Sequence, residues 1–300
     1  VKLNIGIVVQ GKYVPKYTKN VVEYYLQNCP SYFICLSCWV GDKEIVAAEL
    51  NYLRNEKRLL IEFSEYPKFS GYQNINYQIV STLNGLVRLK EAGCNWAIKS
   101  RTDFMLIDIG AFEKHLVQQN GRICGLETDD VRYNLFFVSD FLLSGNLEEL
   151  ILYFSCPLQY AGNNREAGCA KLQQALENRD VYMRLEDSRI AERYLVSYYL
   201  KRKGYYLPQG LLEKLYLWPL LARENFYLIN RDDIRFSSLK RYASLEKRSS
   251  THFYSLEIMD DKNMIRYVVG VMARYVVMLL KRFRLSCSFT AKIFTNYFKN

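Results

Sequence analysis

Short apolar runs recur through the first half of this chain, each followed by a stretch with helical spacing. That alternation limits the fold more than any other feature. Residues 3–9 (Leu-Asn-Ile-Gly-Ile-Val-Val) read as a buried strand, ended by the turn Gln10-Gly11-Lys12. Residues 18–27 read as a helix with Thr18 as its N-cap, and residues 32–40 as a second strand closed by Gly41-Asp42. Residues 42–55 follow as a helix with Ile45, Val46, Ala48, Leu50 and Leu53 apolar, and residues 58–63 as a third strand. Strands and helices alternating at this spacing predict an α/β, Rossmann-like fold: a mainly parallel sheet with helices on both faces.

The stretch 95–106 (Asn-Trp-Ala-Ile-Lys-Ser-Arg-Thr-Asp-Phe-Met-Leu) is the densest in chemistry. A short strand over residues 96–98 delivers the cluster Lys99, Arg101, Asp103. Ligands of open α/β sheets sit outside the carboxyl ends of the strands, so a charged ligand is expected here. Two cations and one carboxylate suit a phosphorylated substrate held with a divalent metal; a surface salt-bridge cluster is the alternative. Upstream, Asn74, Asn76 and Gln78 lead into a helix running to about Ala92, stopped by Gly93. Their amides suit a base or sugar hydroxyls, or Asn74 or Asn76 simply caps the helix.

Further on, residues 107–119 read as a helix containing His115, residues 122–126 and 134–138 as strands, and residues 146–154 as a helix. Asp140 lies among apolar residues, where an isolated carboxylate needs a partner. Residues 169–178 read as a helix, and residues 185–202 as the start and body of another. Asp187 and Glu192 there are candidates for a general base, or members of an i,i+4 charge network. Residues 205–261 are mixed, with a loop over 240–251 followed by His252.

Cys35 and Cys38 have CxxC spacing, but no second such pair follows and the chain holds 2 histidines, which weighs against zinc. Scattered cysteines fit the cytosol, and the opening strand-like run carries no signal peptide, so export is not expected. The net charge of +10 is uneven: residues 262–300 hold eight Lys or Arg and no acid, which leaves +2 for residues 1–261. A nucleic-acid-binding domain would spread its cations over the fold, so no nucleic-acid partner is expected. The expected organisation is a catalytic domain over 1–261 and a basic amphipathic helical tail over 262–300. The tail's longest uncharged runs are seven residues, far short of the roughly 20 that span a bilayer. Such a tail suits an anionic membrane surface, and packing on the domain or on a partner subunit is the alternative.

Four stretches resemble the WavE family of lipopolysaccharide-synthesis proteins. They are Ile7-Val8-Val9-Gln10-Gly11, Leu36-Ser37-Cys38-Trp39, Asn74-Ile75-Asn76-Tyr77-Gln78-Ile79-Val80-Ser81-Thr82 with Gly85-Leu86, and Ile98-Lys99-Ser100-Arg101-Thr102-Asp103. Val138-Ser139-Asp140-Phe141 with Gly145 is a fainter echo, and the basic tail lies outside the resemblance.

The resemblance implies a glycosyltransferase of the A-type fold using a nucleotide-sugar donor. In such folds a carboxylate motif after a central strand holds Mg²⁺ or Mn²⁺ on the diphosphate. Lys99-x-Arg101-x-Asp103 stands there with one carboxylate instead of two, so either Asp103 binds the metal or the two cations neutralise the diphosphate themselves. The implied roles are Gln10 and Gly11 lining the nucleotide pocket, Asp140, Asp187 or Glu192 deprotonating the acceptor, and His252 as a further metal ligand. The implied acceptor is a bacterial surface glycan, lipopolysaccharide or capsule, or its lipid-linked precursor, at the cytoplasmic face of the inner membrane. Two other classes stay open: a nucleotidyltransferase, for which no glycine-rich phosphate loop is seen, and a non-catalytic binding protein for nucleotide sugars or glycans.

Overall fold

The structure, a computed structural model, describes residues 3–127, 135–159, 190–208, 210–230 and 233–238. The proposed tail over 262–300, the helix expected over 169–178, Asp187 and His252 lie outside the described residues.

A seven-stranded sheet forms the centre, in the order β3 (Leu59–Ser64), β2 (Phe33–Trp39), β1 (Ile5–Gln10), β4 (Trp96–Arg101), β7 (Leu143–Asn146), β6 (Ile123–Glu127), β8 (Phe226–Asn230). Every pairing is parallel except the two made by β7, so β7 runs against the other strands. A small second sheet pairs β5 (Phe104–Leu106) with β9 (Phe236–Ser238), antiparallel. Among the described residues the helices are α1 (Tyr17–Asn28), α2 (Lys43–Leu50), α3 (Ile75–Glu91), α4 (Ile109–Gln118), α5 (Leu147–Phe154), α6 (Ala191–Arg202) and α7 (Leu211–Asn225). The expected α/β class, mainly parallel with helices on both faces, is the one found.

Strand alternation explains the two-sided core. On β1, Val8 packs towards α3, α5, α6 and α7, while Ile7 and Val9 pack towards α1, α2 and α4. Cys35 and Cys38, three residues apart on β2, fall on opposite faces for the same reason, so their CxxC spacing brings no pair together. Helix α3 lies close on the sheet because Gly85 has no side chain: a Cβ there would stand 2.6 Å from Val8 Cγ1. That approach brings Gln78 and Ser81 of α3 to the carboxyl ends of the central strands.

Several expected elements are corrected. The apolar run over 135–138 forms no strand, because Phe136 has φ +56, outside extended space. Its side chains fill the core instead, Phe136 against Trp218 at 5.1 Å between ring centroids, and the strand comes later as β7. The strand expected over 96–98 continues to Arg101, held in register with β1. The helix expected from 42 to 55 ends at Leu50 and tightens into a 3₁₀ turn. The mixed region contains α7, with Pro219 inside it, and β8, which closes the sheet edge beside β6.

Candidate functional site

The chain passes from β1 to β2 and β3 on one side, then crosses back through α3 to β4 on the other side of β1. This reversal makes the carboxyl ends of β1 and β4 a topological switch point, the place where open α/β sheets form a ligand crevice. Gln10 and Arg101, the last residues of the two strands, are register partners across it.

The turns leaving both strands are clamped together. Thr102 N–H donates to the Gln10 carbonyl at 3.0 Å, its hydroxyl donates to the Lys12 carbonyl at 2.7 Å, and the Thr18 hydroxyl donates to the Thr102 carbonyl at 3.0 Å. Gly11 has φ +126, and a Cβ there would meet Thr102 Oγ1 at 3.0 Å, so glycine is required for this close passage. Thr18 therefore serves the clamp; it lies inside α1 and is not its N-cap.

Arg101 and Asp103 stand at the rim. Arg101 Nε donates to Asp103 Oδ1 at 2.8 Å and Nη2 to Oδ2 at 3.0 Å, a bidentate pair whose side chains are 22% and 9% exposed. The guanidinium also lies over the Phe141 ring, 5.3 Å from its centroid. Gln10 is buried, and its Oε1 accepts from the Ser81 hydroxyl at 2.8 Å, which orients its amide from α3.

Lys99 goes inward. It is fully buried, and its ammonium donates to the Asp140 carbonyl and pairs with Asp140 Oδ2 at 3.4 Å. Asp140 is buried too, and Gln78 Nε2 donates to the same Oδ2. Burial pushes the Lys99 pKa down and the Asp140 charge pushes it back up. A ligand contact by Lys99 is thereby replaced by an internal ion pair, and the Asp140 carboxylate expected to act as a base is committed to two neighbours. Glu192, in the first turn of α6, is half-buried and close enough for its charge to act on Lys99 and on the fully buried Tyr153.

The amide-rich lead divides. Asn76 is buried; its Nδ2 donates to the Phe69 and Gln159 carbonyls at 2.9 and 2.7 Å, and its Oδ1 accepts from Gln159 N–H at 2.8 Å. Asn74 is exposed in the left-handed region (φ +62), and its side chain makes no cap bond to α3. His115 is tied to the Tyr227 hydroxyl at 3.1 Å, a structural contact.

For the expected metal, the donors are the test. Among the described residues no three His, Cys, Asp or Glu side chains gather, and both Asp103 oxygens are held by Arg101. Among the described residues, then, no donor set for a divalent cation is assembled; His252, the other expected ligand, lies outside them.

Two contacts near the site carry no signal in the amino-acid sequence. Phe141 supports Arg101 from a distant segment. Trp39 at the end of β2 stacks on Tyr66 (4.3 Å, 17°), with Tyr77 edge-on to both at 5.5 and 5.4 Å. Nothing in the sequence marks Tyr66 out among 25 tyrosines. A cavity of about 230 Å³ between α2 and β3 is lined by none of these residues.

No family model matches the chain, and no curated protein sequence does. Among solved structures it is similar to 4-diphosphocytidyl-2C-methyl-D-erythritol synthase from Anaerococcus prevotii, with 6% identity, 82% of this chain and 99% of that one covered, and a TM-score of 0.42. It is also similar to mannose-1-phosphate geranyltransferase from Thermus thermophilus, with 9% identity, 84% and 81% covered, and a TM-score of 0.39. Mouse xyloside xylosyltransferase 1 follows with 12% identity, 76% and 85% covered, and a TM-score of 0.36. Likenesses this distant say nothing of activity.

Proposed function

We propose that this protein is a glycosyltransferase that moves a sugar from a nucleotide-sugar donor to a hydroxyl of a bacterial surface glycan, lipopolysaccharide or capsule. The observation that carries the reading is the meeting of Gln10-Gly11 with Arg101-Asp103 at the β1–β4 switch point. A guanidinium held at the carboxyl ends of these strands suits the negative charge of a diphosphate.

In this reading Gly11 lets the main chain approach the nucleotide, and Gln10, oriented by Ser81, hydrogen-bonds it. Arg101 stabilises negative charge on the leaving diphosphate, and Asp103 holds Arg101 in orientation. For an inverting transfer, the acceptor oxygen bonds to the anomeric carbon as the bond from that carbon to the diphosphate oxygen breaks. The electron pair leaves with the diphosphate, and the acceptor proton passes to the Glu192 carboxylate. Asp187 is the other candidate for that proton. No step is routed through a metal. The basic segment over 262–300 would hold the enzyme on the anionic cytoplasmic face of the inner membrane; among the described residues no helix is long and apolar enough to cross a membrane.

Calorimetry with a panel of nucleoside diphosphates and their sugar conjugates tests the class. One conjugate and its diphosphate are expected to bind, and a nucleoside triphosphate with a sugar 1-phosphate is expected to release no pyrophosphate. Pyrophosphate release would make the protein a nucleotidyltransferase, and a panel without binding would remove the transferase reading.

A further inference from the structure

Lys99 is costly where it stands. A Met or Leu would fill the same space in β4 without stripping water from an ammonium, so the value of the lysine lies in what it holds. It holds two things on one residue: the Asp140 main-chain carbonyl and the Asp140 carboxylate, the latter shared with Gln78 from α3. The next residue, Phe141, carries the ring under the Arg101 guanidinium. Lys99 and Arg101, two apart on one strand, point to the same side of the sheet. The 139–141 segment therefore bridges them: its main chain is tied to the first and its ring supports the second.

We propose that Lys99 is a positioning residue: it pins the main chain at Asp140 so that Phe141 stands beneath Arg101 and holds the guanidinium at the β1–β4 crevice. The consequence for ligand binding rests on Arg101 being the phosphate-binding cation; the mechanical link does not. In this arrangement Arg101 is fixed from two directions, by the Asp103 carboxylate at its fork and by Phe141 at its face. A cation held this way loses little freedom when an anion binds, which raises affinity without any added contact.

Lys99→Met alone would strand a buried carboxylate, so the test uses the charge-neutral pair Lys99→Met/Asp140→Asn, which keeps the volume and removes both charges. Hydrogen–deuterium exchange is followed by mass spectrometry in peptides covering 100–104 and 138–142, and inorganic pyrophosphate binding is measured by calorimetry. Exchange is expected to rise in both peptides, and pyrophosphate affinity to fall by up to roughly tenfold, the cost of ordering one long side chain on binding. Phe141→Leu reaches the same link from the other end and keeps the test open if the double variant does not fold. It is expected to weaken pyrophosphate binding while exchange at 138–142 stays as in the wild type.

Two results overturn the proposal. One is a double variant with loosened 138–142 but unchanged 100–104, which reduces Lys99 to a charge partner of Asp140. The other is Phe141→Leu with unchanged affinity. A wild type that fails to bind pyrophosphate removes Arg101 as the phosphate ligand, and the exchange data then decide the mechanical link by themselves.

Discussion

Arg101 and Asp103 form a two-pronged pair, Nε to Oδ1 at 2.8 Å and Nη2 to Oδ2 at 3.0 Å, at the carboxyl ends of β1 and β4. The carboxylate is only two residues along the chain, so it fixes the plane of the guanidinium. It also occupies the position where the resemblance implies a metal ligand.

Arg101→Lys tests whether that plane matters. Lysine keeps the charge and loses the fork, so affinity for the donor and its nucleoside diphosphate should fall about tenfold or more, read by calorimetry. Equal affinity would mean that only charge is used.

Glu192→Gln separates chemistry from binding. If Glu192 takes the acceptor proton, kcat should drop by roughly 10²–10⁴-fold while the donor KM stays near its wild-type value. A change in KM alone would move the general base elsewhere, with Asp187 next to be substituted.

Gly85→Val tests the seat of α3. The added side chain begins 2.6 Å from Val8 Cγ1 and 3.1 Å from Ser37 Cβ, so strand and helix must part. A loss of about 1–3 kcal/mol is expected from such overpacking, read as a lower melting temperature. Because α3 carries Ser81 and Gln78, donor affinity should fall with it.

The buried thiols give the stability a pH dependence with a definite sign. Burial pushes Cys94 up to about 11, and Cys29 and Cys156 up to about 12. An unfolded thiol titrates near 8.5. Between those values the unfolded chain has released protons that the folded chain keeps, so stability falls as pH rises. The contribution is complete below about pH 8.5 and is lost progressively towards pH 11–12. Guanidinium midpoints at pH 8 and pH 10.5 should show the lower value at pH 10.5; equal midpoints would contradict the burial of these groups.

Periodicity made the first half of the fold legible. β1, β2, β3 and the helices between them are buried on both sides or one, and their apolar spacing says so. The second half was harder to read because its apolar residues serve packing that spacing does not encode. Phe136 takes a left-handed conformation in the middle of a strand-like run, and Pro219 sits inside a helix. At the site, the run from Lys99 to Asp103 announced charge but not direction. Alternation puts Lys99 and Arg101 on one side; only the depth of the sheet decides that Lys99 ends against Asp140 and Arg101 reaches the rim. Phe141 lies 40 positions from Arg101 in the sequence and carries no signal of the contact.

The most direct measurement is hydrolysis or transfer from a panel of nucleotide sugars, with and without Mn²⁺, by wild type, Arg101→Ala and Asp103→Asn. One donor should be turned over by the wild type, and both variants should lose most of that activity. No turnover of any sugar donor, or full activity in Asp103→Asn, would contradict a transferase site built on Arg101 and Asp103.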